Sequence, residues 1–473
     1  MKKILSAIIL IYFLFNSFIY ADEEELLAYQ PTTTNIYGGP FGFPPGCTFY
    51  VDYTLGIINA RMSTGSPTAT FTATRSATTP STYIDSSGII QLVTSSNIPR
   101  FAGGYYDSTG FHAQKGVMIE AVATNLLIRT DGTASAAGLW TGWVKEETVV
   151  NDPTFTQVTA PTGISGSTAQ RMQYVDGADV NSQFQVISTS TGAATVAPDN
   201  VVTFSIMART QTSVTGANFI IQISWRDNVD ALISTTNSAT LTLTSSWKYF
   251  QLTGTAPALT DRVKVKIGPS SGVDQGDIVD FEIYAPQIEI SPYATSFIPT
   301  TTAALTRNAE TLTYPISGNR TAAQETIAIK FMPLGGSFAN DGVRRVLTDT
   351  NTKSRIIKKT QTGTVITFLP NEPDNGAVLK DTTTVPLLNT SYVYTATCVN
   401  SPSSYAGYLN GTQEGTTGST AWTLNTWGTN FYIGSNSSST EQLNGLIQRV
   451  AIFNRALSAS EVSAITTLLN QDT

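Results

Sequence analysis

The stretch FYIGS at 431–435, followed by LNGLIQRVAIFNRALSASEVSAI from Leu443 to Ile465, reads as strand, strand and one closing helix. In Leu446–Phe453 the set Leu446, Gln448, Val450 and Ile452 alternates with Ile447, Arg449, Ala451 and Phe453. A period of two with β-branched enrichment is that of a mostly buried strand. Glu461 stands three residues after Ser458, which predicts a reciprocal capping box at the start of a helix, and Leu457 and Val462 are spaced to form a hydrophobic staple across it. Val462, Ile465, Leu468 and Leu469 then supply one apolar stripe at helical spacing.

These residues resemble the C-terminal signature of laminin-G-like, concanavalin A-type jelly rolls, in which a Tyr-Ile-Gly strand, a Gly-containing turn and a further strand lead into Asn-Arg-Ala-Leu-Ser. The resemblance implies a jelly roll over residues 306–470, with Thr326–Met332 as its opening strand. Within it Tyr405–Gln413 reads as a hairpin. Its Asn410-Gly411 pair is the strongest short turn signal in the chain and predicts a type I′ loop. The family's words at this point are close to Leu-Tyr-Val-Asn-Gly; here they are Gly407-Tyr408-Leu409-Asn410-Gly411.

Composition points the same way. Only 13% of the 473 residues are charged, Thr, Ser and Gly recur throughout, and helical periodicity is confined to the C-terminus. The expected class is all-β: tandem β-sandwich (jelly-roll) domains with a short C-terminal helix. The length leaves room for two or three such units, each burying its own core.

The chain opens with Met1-Lys2-Lys3, an apolar run from Ile4 to Ile19, then Tyr20-Ala21, the layout of a secretory signal over 1–21. The run is short for a bilayer span, which needs about 20 residues. The expectation is a secreted or cell-surface product, bacterial or virion-associated, with no integral membrane span after signal removal. Loss of Lys2 and Lys3 takes the formal net charge from −7 to −9, which argues against a nucleic-acid partner. Cys47 and Cys398 could pair in an oxidising compartment, but the long separation makes a buried free thiol at Cys398 the default.

Residues 22–67, with the acidic cluster Asp22–Glu25 and GGPFGFPPG at 38–46, read as an extended arm or linker. From 68 to 130 the words FTATRSATTPSTYIDSSGIIQLVTSSNIPRF and GVMIEAVATNLLIRT resemble a module of bacteriophage tail-fibre, tail-spike and head-fibre proteins, departing from it at Ala121, where a second acid is usual. Residues 131–300 carry strand candidates at Gln183–Ser188, Val201–Ala208, Phe219–Trp225, Ala239–Leu243, Lys248–Thr253, Val263–Ile267 and Ile278–Ile283. There SSWKYFQLTGTA and FEIYAPQIEISPYATSFIPT resemble a carbohydrate-binding-module-like sandwich, the second also being close to phage wording. A polar connector near Thr301 leads to the C-terminal unit.

Catalytic signals are sparse. A hydrolytic triad needs a base beside a nucleophile, and the one histidine, His112, lies in Gly103–Gly116, which reads as a loop. Phosphate loops and His/Cys metal clusters are absent from the sequence. Asp277, Asp280 and Glu282 form the one dense acidic group near a strand, but without the Glu-x-Asp-x-x-Glu order of glycoside hydrolases on the concanavalin A fold. They read as an exposed strand face, and the protein as no enzyme.

Sugar binding needs aromatic planes and amide or carboxylate partners. The candidate ligand-binding residues are Trp225, Trp422, Trp427, Trp140, Trp143 and Asn410, while Trp247 reads as core. No cofactor is required; if a metal binds, it is calcium on loop oxygens, with Asp341 and Asp349 as weak candidates. The sequence therefore points to an exported, non-enzymatic glycan-binding or adhesion protein whose partner is a glycan or cell-surface polysaccharide. The alternatives are a structural or assembly subunit, as a possible homo-oligomer, and, further off, a glycoside hydrolase.

Overall fold

The computed structural model describes residues 42–56, 72–74, 81–93, 98–130, 132, 139–140, 143–147, 154–175, 184–188, 194–211, 219–269, 278–335, 344–349, 356–359, 366–369, 380–421 and 428–471. The all-β expectation holds: among these residues the paired strands are antiparallel, and the α-helix is the closing Ala459–Asn470.

The strand Gly445–Phe453 is the hub of a ten-stranded sheet, paired with Gln324–Pro333 on one side and with Gly110–Ile119 and Cys47–Asp52 on the other. Opposite lies a seven-stranded sheet containing Thr311–Pro315, Asn430–Ile433 and Arg344–Asp349. Side chains such as Phe49, Ile329, Tyr394, Phe431 and Val450 fill the space between the two sheets. The alternation expected along Leu446–Phe453 breaks once. A register shift opposite Lys330/Phe331 leaves Ile447, Val450 and Ile452 in the inter-sheet core, while Leu446 joins Met118 on the other face.

The helix covers the outer face of the large sheet, where Ala328, Ala406 and Ala451 leave room for Val462, Ile465 and Leu469. The capping box is present, with the Ser458 hydroxyl accepting from Glu461 N–H and the Glu461 carboxylate accepting from Ser458 N–H at 2.9 Å. A hydrogen bond from Arg455 leads the effects that hold the Glu461 carboxyl at about 2, well below the ordinary carboxylate range. Leu457 and Val462, the staple pair, are both buried. Ser458→Ala is expected to cost about 1 kcal/mol in chemical denaturation; an unchanged midpoint would show the helix to be held by packing alone.

Residues 22–67 are not an arm throughout. Cys47–Asp52 is a buried strand of the jelly roll because Phe49 and Val51 fill its core and Asp52 accepts from Arg449 at 2.8 Å. Arg449 also donates to the carbonyls of Leu469 and Gln471, tying this strand to the helix end. Cys47 and Cys398 are both buried and are not joined in a disulfide, and burial pushes the Cys47 thiol up to about 12. Nor do the phage-like words form a unit of their own, since Ser81–Ile84, Ile90–Val93, Arg100–Asp107 and Gly110–Ile119 extend the jelly roll's sheet. Residues 1–21, expected to be a secretory signal, lie outside the described residues. No described helix is long and apolar enough to cross a membrane.

The middle sandwich stacks a five-stranded sheet, ordered Lys248–Thr255, Val201–Thr210, Ile278–Glu289, Thr168–Val175 and Thr154–Thr159, on a four-stranded one holding Phe219–Arg226 and Arg262–Pro269. Phe204, Ile206, Phe281 and Ile283 face Ile221, Ile223, Val263 and Val265. Ala239–Leu243, expected as a strand, is irregular; the strand is Leu232–Asn237.

Candidate functional site

The two sandwiches meet over a buried ionic network. Arg100, from the Pro-Arg-Phe word, donates from Nε and Nη2 to both carboxylate oxygens of Glu310 and, again from Nη2, to Glu120 at 2.7 Å. Arg307 is paired with Glu120 and donates to the Ala121 carbonyl at 2.9 Å. From the middle sandwich, Ser296 N–H donates to Glu120 at 2.8 Å and its hydroxyl to Glu120 at 2.6 Å. Burial alone would raise the Glu120 pKa, but Arg307, Arg100 and Ser296 outweigh it and hold the carboxyl at about 2. Glu289 lies deeper in the same junction, and burial raises its carboxyl above the ordinary value despite bonds from Thr295 and Gln287.

Asn125 and Asn444 complete the lock. Asn125 donates to the Ile298 carbonyl at 2.9 Å and accepts from Leu127 and Ile288 N–H. Asn444 accepts from Ala121 N–H at 2.7 Å and donates to the Tyr293 hydroxyl at 2.6 Å. Arg100, Glu120, Asn125 and Asn444 thus fasten one sandwich to the other.

Beside this junction opens a cleft of about 850 Å³. Tyr83, Tyr105 and Tyr106 come from the edge of the large sheet, Tyr249, Gln251 and Thr253 from the edge strand Lys248–Thr255, and Tyr293 from the loop after Glu289. Each tyrosine is half-buried. Tyr106 donates to the Gly88 carbonyl at 2.9 Å, and the Arg344 guanidinium sits 4.8 Å over the Tyr293 ring. The cleft also receives Asn237, Asn389 and Asp107. Half-buried rings next to amide and carboxylate oxygens suit a ligand with both apolar faces and hydroxyl groups.

The tryptophans proposed from sequence do not build this site. Trp225 is 1% exposed, packed in the sandwich core with Nε1 donating to Thr236 at 2.9 Å. Trp140 and Trp143 are 1% and 4% exposed and stack edge-on against each other. A ring enclosed on both faces offers no plane to a sugar, which corrects all three assignments. Trp422 and Trp427 lie outside the described residues. Trp247 is core, as expected, lying under Arg209 at 4.7 Å.

Asn410 forms the expected two-residue turn, with positive φ at Asn410 and Gly411, but its amide oxygen accepts from Val393 N–H at 2.9 Å and so serves the hairpin. Asp349 is a fully buried strand residue rather than a loop ligand, and Asp341 lies outside the described residues. No cluster of metal-ligating side chains occurs among the described residues. Asp280 and Glu282 share a face as alternation requires, but that face is not exposed acid. Asp280 is bound by Arg171 at 2.7 and 2.8 Å and Glu282 by Arg209 at 2.6 Å, both carboxylates buried.

His112 belongs to a strand, not a loop, because Gly103–Gly116 folds into a hairpin pairing Tyr105 with His112. Sequence reasoning looked for tryptophan and passed over tyrosine. The available signal was the pair Tyr105-Tyr106 running directly into the turn Asp107-Ser108-Thr109-Gly110.

The family model described as the concanavalin A-like lectin/glucanases superfamily matches residues 322–463. Among solved structures, the enzymatically active domain of tailspike protein 4 from bacteriophage CBA120 aligns with 33% of this chain and 21% of its own, at 10% identity and a TM-score of 0.26. A heptameric pentraxin from Limulus polyphemus aligns with 31% of this chain and 70% of its own, at 14% identity and a TM-score of 0.24. The CBM40 of a Ruminococcus gnavus IT-sialidase, solved with α2,3-sialyllactose, aligns with 31% of this chain and 84% of its own, at 16% identity and a TM-score of 0.25. No curated protein matches the chain.

Proposed function

We propose that this is an exported, non-enzymatic glycan-binding protein, and that the tyrosine-lined cleft between its two sandwiches is the binding site. The observation that carries the reading is the convergence of Tyr83, Tyr105, Tyr106 and Tyr293 with Asn237, Asn389 and Asp107 on one cleft. Sugar rings stack on such planes while their hydroxyls meet the amides and the carboxylate. The lectin/glucanase family match over 322–463 supports the same class of ligand.

Binding rather than cleavage is favoured by the cleft's carboxyls. Glycoside hydrolysis needs one carboxylic acid still protonated near neutral pH. Asp107 and Glu120 are instead both held below their ordinary values.

A glycan array probed with the full mature chain in calcium-containing buffer should give signal, and Tyr105→Ala should weaken it by about 1–2 kcal/mol, roughly tenfold. An array with no signal, or a Tyr105→Ala protein that binds as wild type, would sink the reading.

A second reading, an assembly subunit, draws on the strand Thr154–Thr159. It is largely uncovered and ends the five-stranded sheet with one paired side among the described strands. Light scattering at high concentration tests it: a strict monomer counts against it.

A further inference from the structure

We propose that the cleft accepts neutral glycans and rejects acidic ones, and that the carboxylate of Asp107 sets this preference with His112 as its positioning residue. The inference rests on the glycan-binding reading of the cleft and names the ligand class.

Asp107 is at the tip of the hairpin that carries Tyr105 and Tyr106 into the cleft. Its Oδ1 accepts from Thr109 N–H at 2.7 Å, from the Thr109 hydroxyl at 2.6 Å, from Gly110 N–H at 3.2 Å and from His112 Nε2 at 2.9 Å. Because a carboxylate only accepts, that contact places the proton of His112 on Nε2. Every one of these bonds falls on Oδ1, so among the described residues Oδ2 is left to accept from a sugar hydroxyl. Burial works against the charge, but the Thr109 and His112 bonds prevail and lower the carboxyl pKa.

His112 serves two cleft groups at once. It stacks on Tyr105 with centroids 4.9 Å apart and planes 16° from parallel while fixing Asp107. It therefore sets the distance between the ring a sugar would stack on and the oxygen its hydroxyl would reach.

Charge selection follows from the lining. Its charged residues are Asp107 and Glu120, and no lysine or arginine lines it among the described residues. The nearby arginines are committed: Arg209 to Glu282 and Trp247, Arg344 to the Tyr293 ring, Arg100 and Arg307 to Glu120. A carboxylate on the ligand would meet Asp107 without a compensating cation.

The test is direct binding by calorimetry. Xylo-, cello-, manno- and chitohexaose are compared first, then the tightest of them against the same glycan with its primary hydroxyls (for xylohexaose, its reducing end) oxidised to carboxylates, and against α2,3-sialyllactose. Wild type should bind the neutral form at least about tenfold more tightly than the oxidised one. Asp107→Asn, which keeps Oδ1 for the turn, should weaken neutral binding about tenfold and narrow the gap between the two forms. His112→Phe, keeping the stack and losing the bond, should weaken binding less than Asp107→Asn. Equal or tighter binding of the acidic glycans by wild type, a measurement independent of any variant's folding, overturns the proposal while leaving the glycan-binding reading intact. An Asp107→Asn protein with an unchanged ratio overturns it too. Failure of every glycan to bind overturns the cleft reading itself.

Discussion

Replacing Arg307 by methionine is expected to destabilise the protein by about 3–5 kcal/mol, the usual penalty for removing one partner from a buried ion pair. Arg307 and Arg100 are fully enclosed, and Glu120 would keep its charge with one guanidinium instead of two. Urea denaturation followed by tryptophan fluorescence reads the loss, and a change below about 1 kcal/mol would mean that the network is not what fastens the sandwiches together. Combining Arg307→Met with Glu120→Gln should cost less than the sum of the single changes, because the second removes the charge that the first leaves unpaired.

The pH dependence has a definite sign. The Glu120 carboxyl titrates at about 2 in the folded protein, below its ordinary value near 4.5. Its contribution is therefore complete above the unfolded value and is lost as pH falls from about 4.5 toward 2. Glu289, whose carboxyl is raised, contributes in the opposite sense, favouring the folded state at low pH and losing that as pH rises through its folded value. With Arg307→Met the Glu120 pKa rises, so the acid loss attributable to Glu120 should shrink. An acid limb identical in wild type and variant would remove Glu120 as its source.

The second large effect concerns Trp225. Truncation to alanine should cost about 3–5 kcal/mol, since it empties a large core volume and strips Thr236 of its indole partner. The indole also lies against Gly254, where an added Cβ would fall 2.9 Å from Cζ2, so this neighbour has no side chain to fill the space. Trp225→Phe retains most of the volume, and its glycan affinity should equal wild type. Affinity lost in a folded Trp225→Phe protein would restore Trp225 as a ligand residue and refute its assignment to packing.

The contrast between Trp225 and Tyr105 shows where sequence reasoning stops. Both end or lie within alternating strands beside polar turns, and nothing local distinguishes a ring that faces another sheet from one that faces a cleft. The same holds for Asp280 and Glu282. Alternation correctly placed them on one face, yet their exposure depended on Arg171 and Arg209, which are 109 and 73 residues away. Phe49 and Val51 sit in a Pro/Gly-rich segment that reads as linker, and only the pairing of their strand with Gly445–Phe453 reveals them as core.

What the sequence by itself determined was whatever a few neighbouring residues settle among themselves. The all-β class, the Asn410-Gly411 turn, the Ser458–Glu461 capping box and the strand alternation over 449–453 follow from backbone propensity and periodicity. Tertiary structure alone decided what lies between distant segments: the Arg100–Glu120–Arg307–Glu310 lock and the tyrosine cleft beside it. Those charges and rings come from stretches separated by as many as 210 residues. Their roles are set by burial and by which partner arrives, and no short window of sequence encodes either.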